Sequence, residues 1–433
     1  MTPTRKSSAK LTFKQLTGLE LVHVRSNYRS VATLRSQSLE SNCGIMSIHP
    51  IISTTTPYMV QDKRLVLLSQ YVILLLIACT AAFSADEKQK QNICSQPDKV
   101  LSALFNYTNG WTGADAAYSI PLNKMQTLWL FGDTFIGEIK DNKRVNTTMI
   151  NNTVGVQNIG ASQDRIHFYW NKEKDKPLSI FQSANKEAWL WPGDGACLNK
   201  RLYLFLHQIK RKPGDDSAWG FIEDRDFLAC VSNPEAPPTE WKYTQSLMPE
   251  GMHWGNAVLP DGDWLYVYCS YPKAAKGFFK HPLILARIQK NQLSGSSKKE
   301  WQYWCKNPNS SAGVWKNSAE NPLIIFQDGA PELSVCRVPG KTGFYAVYFP
   351  GGLGPNIVLR HADRPEGPFG DAQAIYRCPE DKKIFVYSAK AHPELARKDG
   401  ELPITYCRNT ESLKDNFDNA DIYVPRGVRV KID

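Results

Sequence analysis

The sequence carries no Gly-rich nucleotide loop, no His-Glu-x-x-His helix and no Gly-x-Ser-x-Gly elbow. Three motif-bearing chemistries are thereby set aside: phosphate cradling, zinc-helix proteolysis and the serine-hydrolase elbow. Basic residues are not scarce, with 52 Lys and Arg against 42 Asp and Glu for a net charge of +10, but no Lys/Arg-rich stripe gathers them. No nucleic-acid partner is therefore expected. Nine of those basic residues and only three acids fall in residues 1–85, so the rest of the chain is only mildly basic. No two of the ten Cys lie at zinc-knuckle spacing, which speaks against a Cys-based metal site.

What is present begins with an export signature. Asp62-Lys63-Arg64 precedes an apolar run from Leu65 to Ala82, and small residues follow before Asp86-Glu87-Lys88. Counted from Met59, this is a basic start, an apolar middle and a small-residue exit. Residues 1–58 then read as a non-native or removed leader, 59–85 as a signal peptide or lipoprotein signal, and 86–433 as the working domain. Ala82-Phe83-Ser84 suits ordinary cleavage. Leu76-Ile77-Ala78-Cys79 resembles a lipoprotein box, which would place a lipid on Cys79, and an uncleaved signal anchor is the third option. Secreted, periplasmic and lipid-anchored destinations all stay open. Eight Cys follow the signal, an even count that permits disulfides in an exported chain.

The 86–433 segment repeats itself. Polar residues followed by short apolar runs, a turn and a second run recur near residues 115, 194, 255, 332 and 392. A period of roughly 60 to 80 residues with short alternating strands points to repeated antiparallel units. The expected fold is all-β, a five-bladed β-propeller with four-stranded antiparallel blades. Arg426 to Ile432 is a candidate closing strand. The first strand of each blade would line a central channel and bring Asp115, Asp194, Asn256, Glu332 and His392 to one mouth. Each alone is an ordinary turn residue; recurrence in register makes the set a candidate pocket. A channel Ca²⁺ is left open as a structural ion, although no loop carries a ligand pattern that demands it and no cofactor is expected.

The opening unit carries the sharpest expectation. Ala116 to Leu122 and Thr127 to Phe131 read as a hairpin, with Asp115 where the first strand begins and Asp133 where the second ends. Antiparallel pairing sets those ends side by side. Two neighbouring carboxyl groups are what acid/base cleavage of a glycosidic bond requires. Asp133, among Leu130, Phe131 and Phe135, is expected to be the acid; Asp115, in a Gly/Ala setting, the base or nucleophile. His253 and Trp254 are candidates for a sugar platform at the same mouth. Arg360 is expected to pair with Asp363, and Glu394 to cap a turn.

GWTGADAAYSIPL followed by LWLFGDTFIG resembles a bacterial five-bladed propeller family first defined only as a domain of unknown function, some members of which are endo-acting D-arabinanases. More distantly the chain is similar to the arabinanase and β-xylosidase furanosidase superfamily. HWGNAVL, PELSV, IVLRHADRPEGPFG and AHPEL fit the same pattern, and the resemblance covers roughly Lys99 to Asp433. It implies hydrolysis of a polysaccharide, an arabinan-like furanosyl polymer being favoured, with Asp115 and Asp133 in the positions of the two essential carboxylates. In the wider superfamily three carboxylates open the first three blades. Here the third unit offers Trp254-Gly255-Asn256 and no acid, so that triad does not carry over. A non-catalytic carbohydrate-binding or cell-surface propeller is the alternative, because fold alone does not fix function.

Overall fold

Among the described residues, five antiparallel sheets of four or five strands follow one another. The computed structural model describes residues 92–160, 165–215, 217, 220–275, 281–295, 300–379 and 381–433. The leader, the signal segment and Cys79 lie outside the described residues.

Sheet I starts with Tyr118–Asn123 and Gln126–Phe131 and adds Thr153–Asn158 and Ile166–Tyr169. Sheet II is built from three long strands, Ala188–Leu198, Arg201–Arg211 and Phe221–Val231, with Tyr243–Leu247 at its edge. Sheet III begins with His253–Asp261 and Trp264–Ser270, and sheet IV with Ser334–Cys336 and Phe344–Tyr348. Sheet V runs Phe385–Ala391, Glu401–Asn409, Arg426–Ile432 and then Ile93–Pro97. The first described strand thus pairs with the last, Ile93 opposite Ile432 and Pro97 opposite Val428. Arg426–Ile432 is an inner strand of sheet V, with the 93–97 strand on the edge.

The first strands of sheets I to V lie next to one another in sequence order. Ser119 of the first and His392, just past the last, are hydrogen-bonded at 2.7 Å. Apolar side chains fill the spaces between neighbouring sheets. Trp254, for example, packs with Phe205 and Trp301 between sheets II and III. Glu87–Asp433 forms one compact unit. All eight Cys among the described residues are free thiols, and five of them are buried as small apolar core residues.

Two departures from the sequence reading matter for the site. The first strand of sheet V is Phe385–Ala391, not the segment beginning at His392. His392-Pro393-Glu394-Leu395 turns instead into a short 3₁₀ helix that opens on Pro393. Proline has no N–H for a ladder bond and suits the first turn of a helix, so the strand must stop before it. The second departure is a small extra sheet of Asn109–Ala114, Thr134–Lys140 and Lys143–Ile150. It continues directly from the hairpin of sheet I, and the chain crosses between the two at Asp115 and again at Asp133.

Candidate active site

Two strand registers bring Asp115 and Asp133 together. On one side Tyr118 pairs with Leu130; on the other Ala114 pairs with Thr134. Asp115 and Asp133 are the residues just inside the Ala114–Thr134 rung, where antiparallel backbones are about 5 Å apart. The amide of Gly132 donates to the Asp115 carbonyl at 3.3 Å. Gly132 is required by this approach: a Cβ there would lie 2.5 Å from Asp115 Oδ1. Replacing Gly132 with Ala should displace the Asp115 carboxylate and cost activity while leaving the melting temperature near that of the wild type. Turnover beside a thermal melt checks this.

The turn after Asp115 is strained. Ala116 and Ala117 both hold left-handed backbone, with φ of 68° and 53°. Each such residue costs roughly 1–2 kcal/mol for an L-amino acid. Surrounding bonds keep the turn in place. The Ala117 amide donates to the Asp115 carbonyl at 3.0 Å, and the Ser388 hydroxyl donates to the Ala116 carbonyl at 3.0 Å. Two successive left-handed alanines beside a buried carboxyl group are strain of the kind that gathers at sites. Behind it, Trp111, Trp129 and Phe131 are fully buried and make a rigid floor with Phe105 and Phe168.

The two carboxyl groups have different company. Tyr387 and Tyr423 each donate a hydroxyl to Asp115 Oδ2 at 2.8 Å, which leaves Oδ1 free to carry a proton. Burial, then the Asp133 carboxylate, then Glu332 hold the Asp115 carboxyl well above the usual carboxylate range. Asp133 is also raised by burial, but N–H donors oppose this. Trp191 Nε1 donates to its Oδ1 at 2.8 Å and Asn151 Nδ2 at 3.1 Å. Arg211 adds a favourable positive charge. Charge is thus better tolerated on Asp133 and a proton on Asp115, the reverse of the assignment expected from flanking apolar residues.

Glu332 and Asp194 both interact with the charge of Lys390. Lys390 is buried in the first strand of sheet V, its ammonium 3.4 Å from the centre of the Tyr118 ring. Burial pushes it down to about 7, and Glu332 and Asp194 resist that shift. Asp194 sits at a bulge in sheet II, accepting from the Gly195 amide at 2.8 Å and from the Val258 amide at 2.7 Å. Burial lifts its carboxyl to about 6 against the pull of Lys390. Lys390→Met should move the Asp194 ionisation to higher pH. An NMR titration of the Asp194 carboxyl in the wild type and the variant measures the shift.

A second acid–histidine group lies on sheets II and III. Asp226 accepts from His207 Nδ1 at 2.8 Å and from the Trp254 amide at 2.9 Å. Burial would lower the His207 pKa, but Asp226, Glu223 and Glu332 outweigh it and the net shift is upward. His253 pairs with Glu223 at 2.6 Å, which raises the imidazole and lowers the carboxyl. Among the described residues no three His, Cys, Asp or Glu side chains converge as a cation site.

Of the residues singled out by sequence, Asp115, Asp133, Asp194 and Glu332 fall within one electrostatic group, and His253 joins it through Glu223, His207 and Glu332. Three do not serve as expected. Trp254 has no exposed surface and stacks on Phe205, so it offers no face to a sugar. Asn256 is buried, its amide donating to Ser270 and to the Ala330 and Pro331 carbonyls, which ties sheet III to the segment bearing Glu332. His392 is fully buried between Ser119 and Thr405, with its pKa pushed down to about 3 by burial and by Lys390. Each is a packing residue because its polar atoms are already satisfied inside the protein. Arg360 pairs with Asp328 and Tyr348 rather than Asp363. Glu394 is drawn inward, its carboxyl raised to about 7 by burial.

Sequence reasoning missed Lys390, Tyr387, Tyr423, Trp191 and the His207–Asp226 pair. Lys390 left a legible trace, a lone lysine in the strand sequence Ser388-Ala389-Lys390-Ala391, where a strand core tolerates charge only if it is paired. The two tyrosines left none, since they reach Asp115 from positions 272 and 308 residues away.

The fold has relatives. A crystal structure of a protein from Bacteroides ovatus ATCC 8483, described provisionally as a hydrolase, superposes with a TM-score of 0.64 at 20% identity, covering 80% of this chain and 92% of that one. An alpha-L-arabinofuranosidase from Lactobacillus brevis gives a TM-score of 0.43 at 12% identity over 76% of this chain and 93% of its own. The GH43_1 enzyme from Xanthomonas citri, crystallised with xylotriose, gives 0.41 at 13% identity, over 78% and 89%. No curated protein matches the sequence. A family model matches residues 98–432, which hold every strand of sheets I to IV and all but the first-numbered strand of sheet V. By that match the chain belongs to the family described as Domain of unknown function (DUF5005).

Proposed function

We propose that the protein is an exported glycoside hydrolase, and that its five sheets are the blades of a five-bladed propeller with Asp115 and Asp133 at the channel mouth. The observation that carries this reading is the Asp115–Asp133 pair itself. Two carboxyl groups occupy adjacent positions on one rung, one surrounded by like charge and the other by N–H donors. Asp115 acts as the general acid, giving its proton to the leaving glycosidic oxygen. Asp133 works as carboxylate, attacking the anomeric carbon or activating a water. Burial, then the Asp133 carboxylate, then Glu332 favour the proton on Asp115, and Lys390 favours the charged form of Glu332. Tyr387 and Tyr423 fix the Asp115 carboxyl so that the proton-bearing oxygen faces the sugar.

The favoured substrate is a furanosyl polymer of the arabinan kind. Support comes from the resemblance to endo-acting D-arabinanases in the GWTGADAAYSIPL and LWLFGDTFIG segments, and the Lactobacillus brevis neighbour is named for an arabinofuranosidase activity. The test is release of reducing ends from arabinans, xylans and other plant and bacterial polysaccharides, with Asp115→Asn and Asp133→Asn alongside. Release that either substitution abolishes supports the reading. Binding of a glycan with no release, equal in wild type and variants, would overturn it in favour of a non-catalytic carbohydrate-binding propeller.

A further inference from the structure

Sheet II is longer than its neighbour. Its first three strands each run 11 residues, against six for the first two strands of sheet I. At about 3.3 Å per residue the difference is roughly 15 Å of strand. Bulges at Pro192/Gly195 and Gln208/Ile209 divide each long strand into a part that packs in the core and a part that continues past it.

In that outer part, register and alternation put a set of side chains on one face. Trp191 pairs with His207, Trp189 with Ile209, Arg211 with Phe221 and Ile209 with Glu223. Contacts agree with the register. Trp189 and Trp191 meet edge to face with ring centres 5.9 Å apart, Trp191 and Phe221 do so at 4.9 Å, and the Arg211 guanidinium lies 5.7 Å over Trp189. All three aromatics are half-buried, so the row is not closed over by the protein. Trp189 Nε1 has no hydrogen-bond partner among the described residues although the atom is buried.

The row runs straight into the carboxyl pair, because Trp191 Nε1 is the donor that holds Asp133 Oδ1 at 2.8 Å. Aromatic faces suit the C–H faces of sugar rings, while Arg211 and Glu223 are polar groups on the same face for hydroxyls.

We infer that the outer part of sheet II is a sugar-binding wall, on which Trp189 and Phe221 seat the glycan residues flanking the cleaved bond while Trp191 positions Asp133. The inference rests on the hydrolase reading for the word cleaved, but the wall itself is a claim about glycan binding. Trp191 is a positioning residue, since it acts on the bond through Asp133.

The experiment measures binding of the purified protein to linear arabinan and to xylan by affinity electrophoresis, and in parallel reducing-end release from the same polymers. Trp189→Ala and Phe221→Ala should weaken binding about tenfold, equivalent to ~1.4 kcal/mol each. On the polymer they should raise KM by more than they lower kcat. Trp191→Phe keeps the ring and loses the N–H, so kcat should fall and the Asp133 ionisation move up the pH axis, with KM little changed. Ile222→Ala, on the opposite and solvent-facing side of the same strand, should change nothing. Binding that survives both Trp189→Ala and Phe221→Ala, or falls equally with Ile222→Ala, overturns the wall, and so does the absence of binding to any tested glycan. Wall-dependent binding without release would uphold the wall and overturn the hydrolase.

Discussion

Asp115→Asn and Asp133→Asn should each lower polysaccharide cleavage by about two to four orders of magnitude, the span that a positioned general acid or base contributes. The amide keeps the size of the carboxyl and can still accept from Tyr387 and Tyr423 or from Trp191 and Asn151. Loss of turnover with an unchanged circular dichroism spectrum would therefore report chemistry rather than misfolding. The two variants should part in their stability. Asp115 has its folded pKa raised above the unfolded value by burial and by the Asp133 and Glu332 carboxylates. Such a group favours the folded state below the unfolded carboxylate pKa, and that contribution is lost as pH rises through the folded pKa. At neutral pH the wild type thus carries a destabilising carboxyl at position 115, and Asp115→Asn should melt at higher temperature than the wild type. The gain should shrink as the pH is lowered toward 4, where both proteins hold an uncharged group there. Asp133 has donors that partly offset its burial, so Asp133→Asn should gain less. A stabilised, inactive Asp115→Asn is the usual signature of a site that trades stability for function. An Asp115→Asn protein that melts below the wild type and still cleaves would remove Asp115 from the mechanism.

How much of this was legible depends on sequence distance. The hairpin that joins Asp115 to Asp133 is local, and its apolar alternation and glycine-bounded turns suffice to place both carboxyl groups at one end. The sheet order followed from the spacing of the repeats for the same reason. Failure came where a local pattern was ambiguous. Ala391-His392-Pro393-Glu394-Leu395 resembles the start of the other units, but proline ends the strand there, and the position thought to belong to His392 is taken by Ser388 and Lys390. Trp254 and Asn256 show a second limit. A polar or aromatic residue at a bulge reads the same in sequence whether it faces a site or staples two sheets. Only the partners decide, here Phe205 and Trp301 for the ring and the Ala330 and Pro331 carbonyls for the amide. Tyr387 and Tyr423 could not be assigned at all without three-dimensional contacts.

Arg144→Met should be the most destabilising single change near the site, and it should also impair a reaction that Arg144 never touches. Arg144 is buried in the small sheet beside sheet I, 4% exposed, and carries its charge against burial that pushes its pKa down to about 10. It donates to the Thr112 carbonyl at 2.9 Å, to Ile422 at 2.8 Å and to Ala420 at 3.3 Å, and it also reaches the Asn416 carbonyl. Those bonds fasten residues 416–422 onto the small sheet, and the next residue is Tyr423, in left-handed backbone with φ of 63° and its hydroxyl on Asp115. Gly113 makes room for the fastening, because a Cβ there would lie 2.5 Å from the Tyr423 carbonyl oxygen. Methionine fills most of the arginine volume but donates nothing. Each buried carbonyl left without a donor costs about 1–3 kcal/mol, so a total of at least ~3 kcal/mol is expected. Chemical denaturation should show it as a lower midpoint with an unchanged slope. Release of Tyr423 should then let the Asp115 carboxyl turn, lowering kcat while leaving glycan affinity near that of the wild type. Tyr423→Phe separates the two effects: it removes the same hydroxyl from Asp115 but leaves the Arg144 bonds intact, so kcat should fall with little loss of stability. If Arg144→Met lowered stability without touching kcat, Tyr423 would be a structural neighbour of Asp115 and not its support.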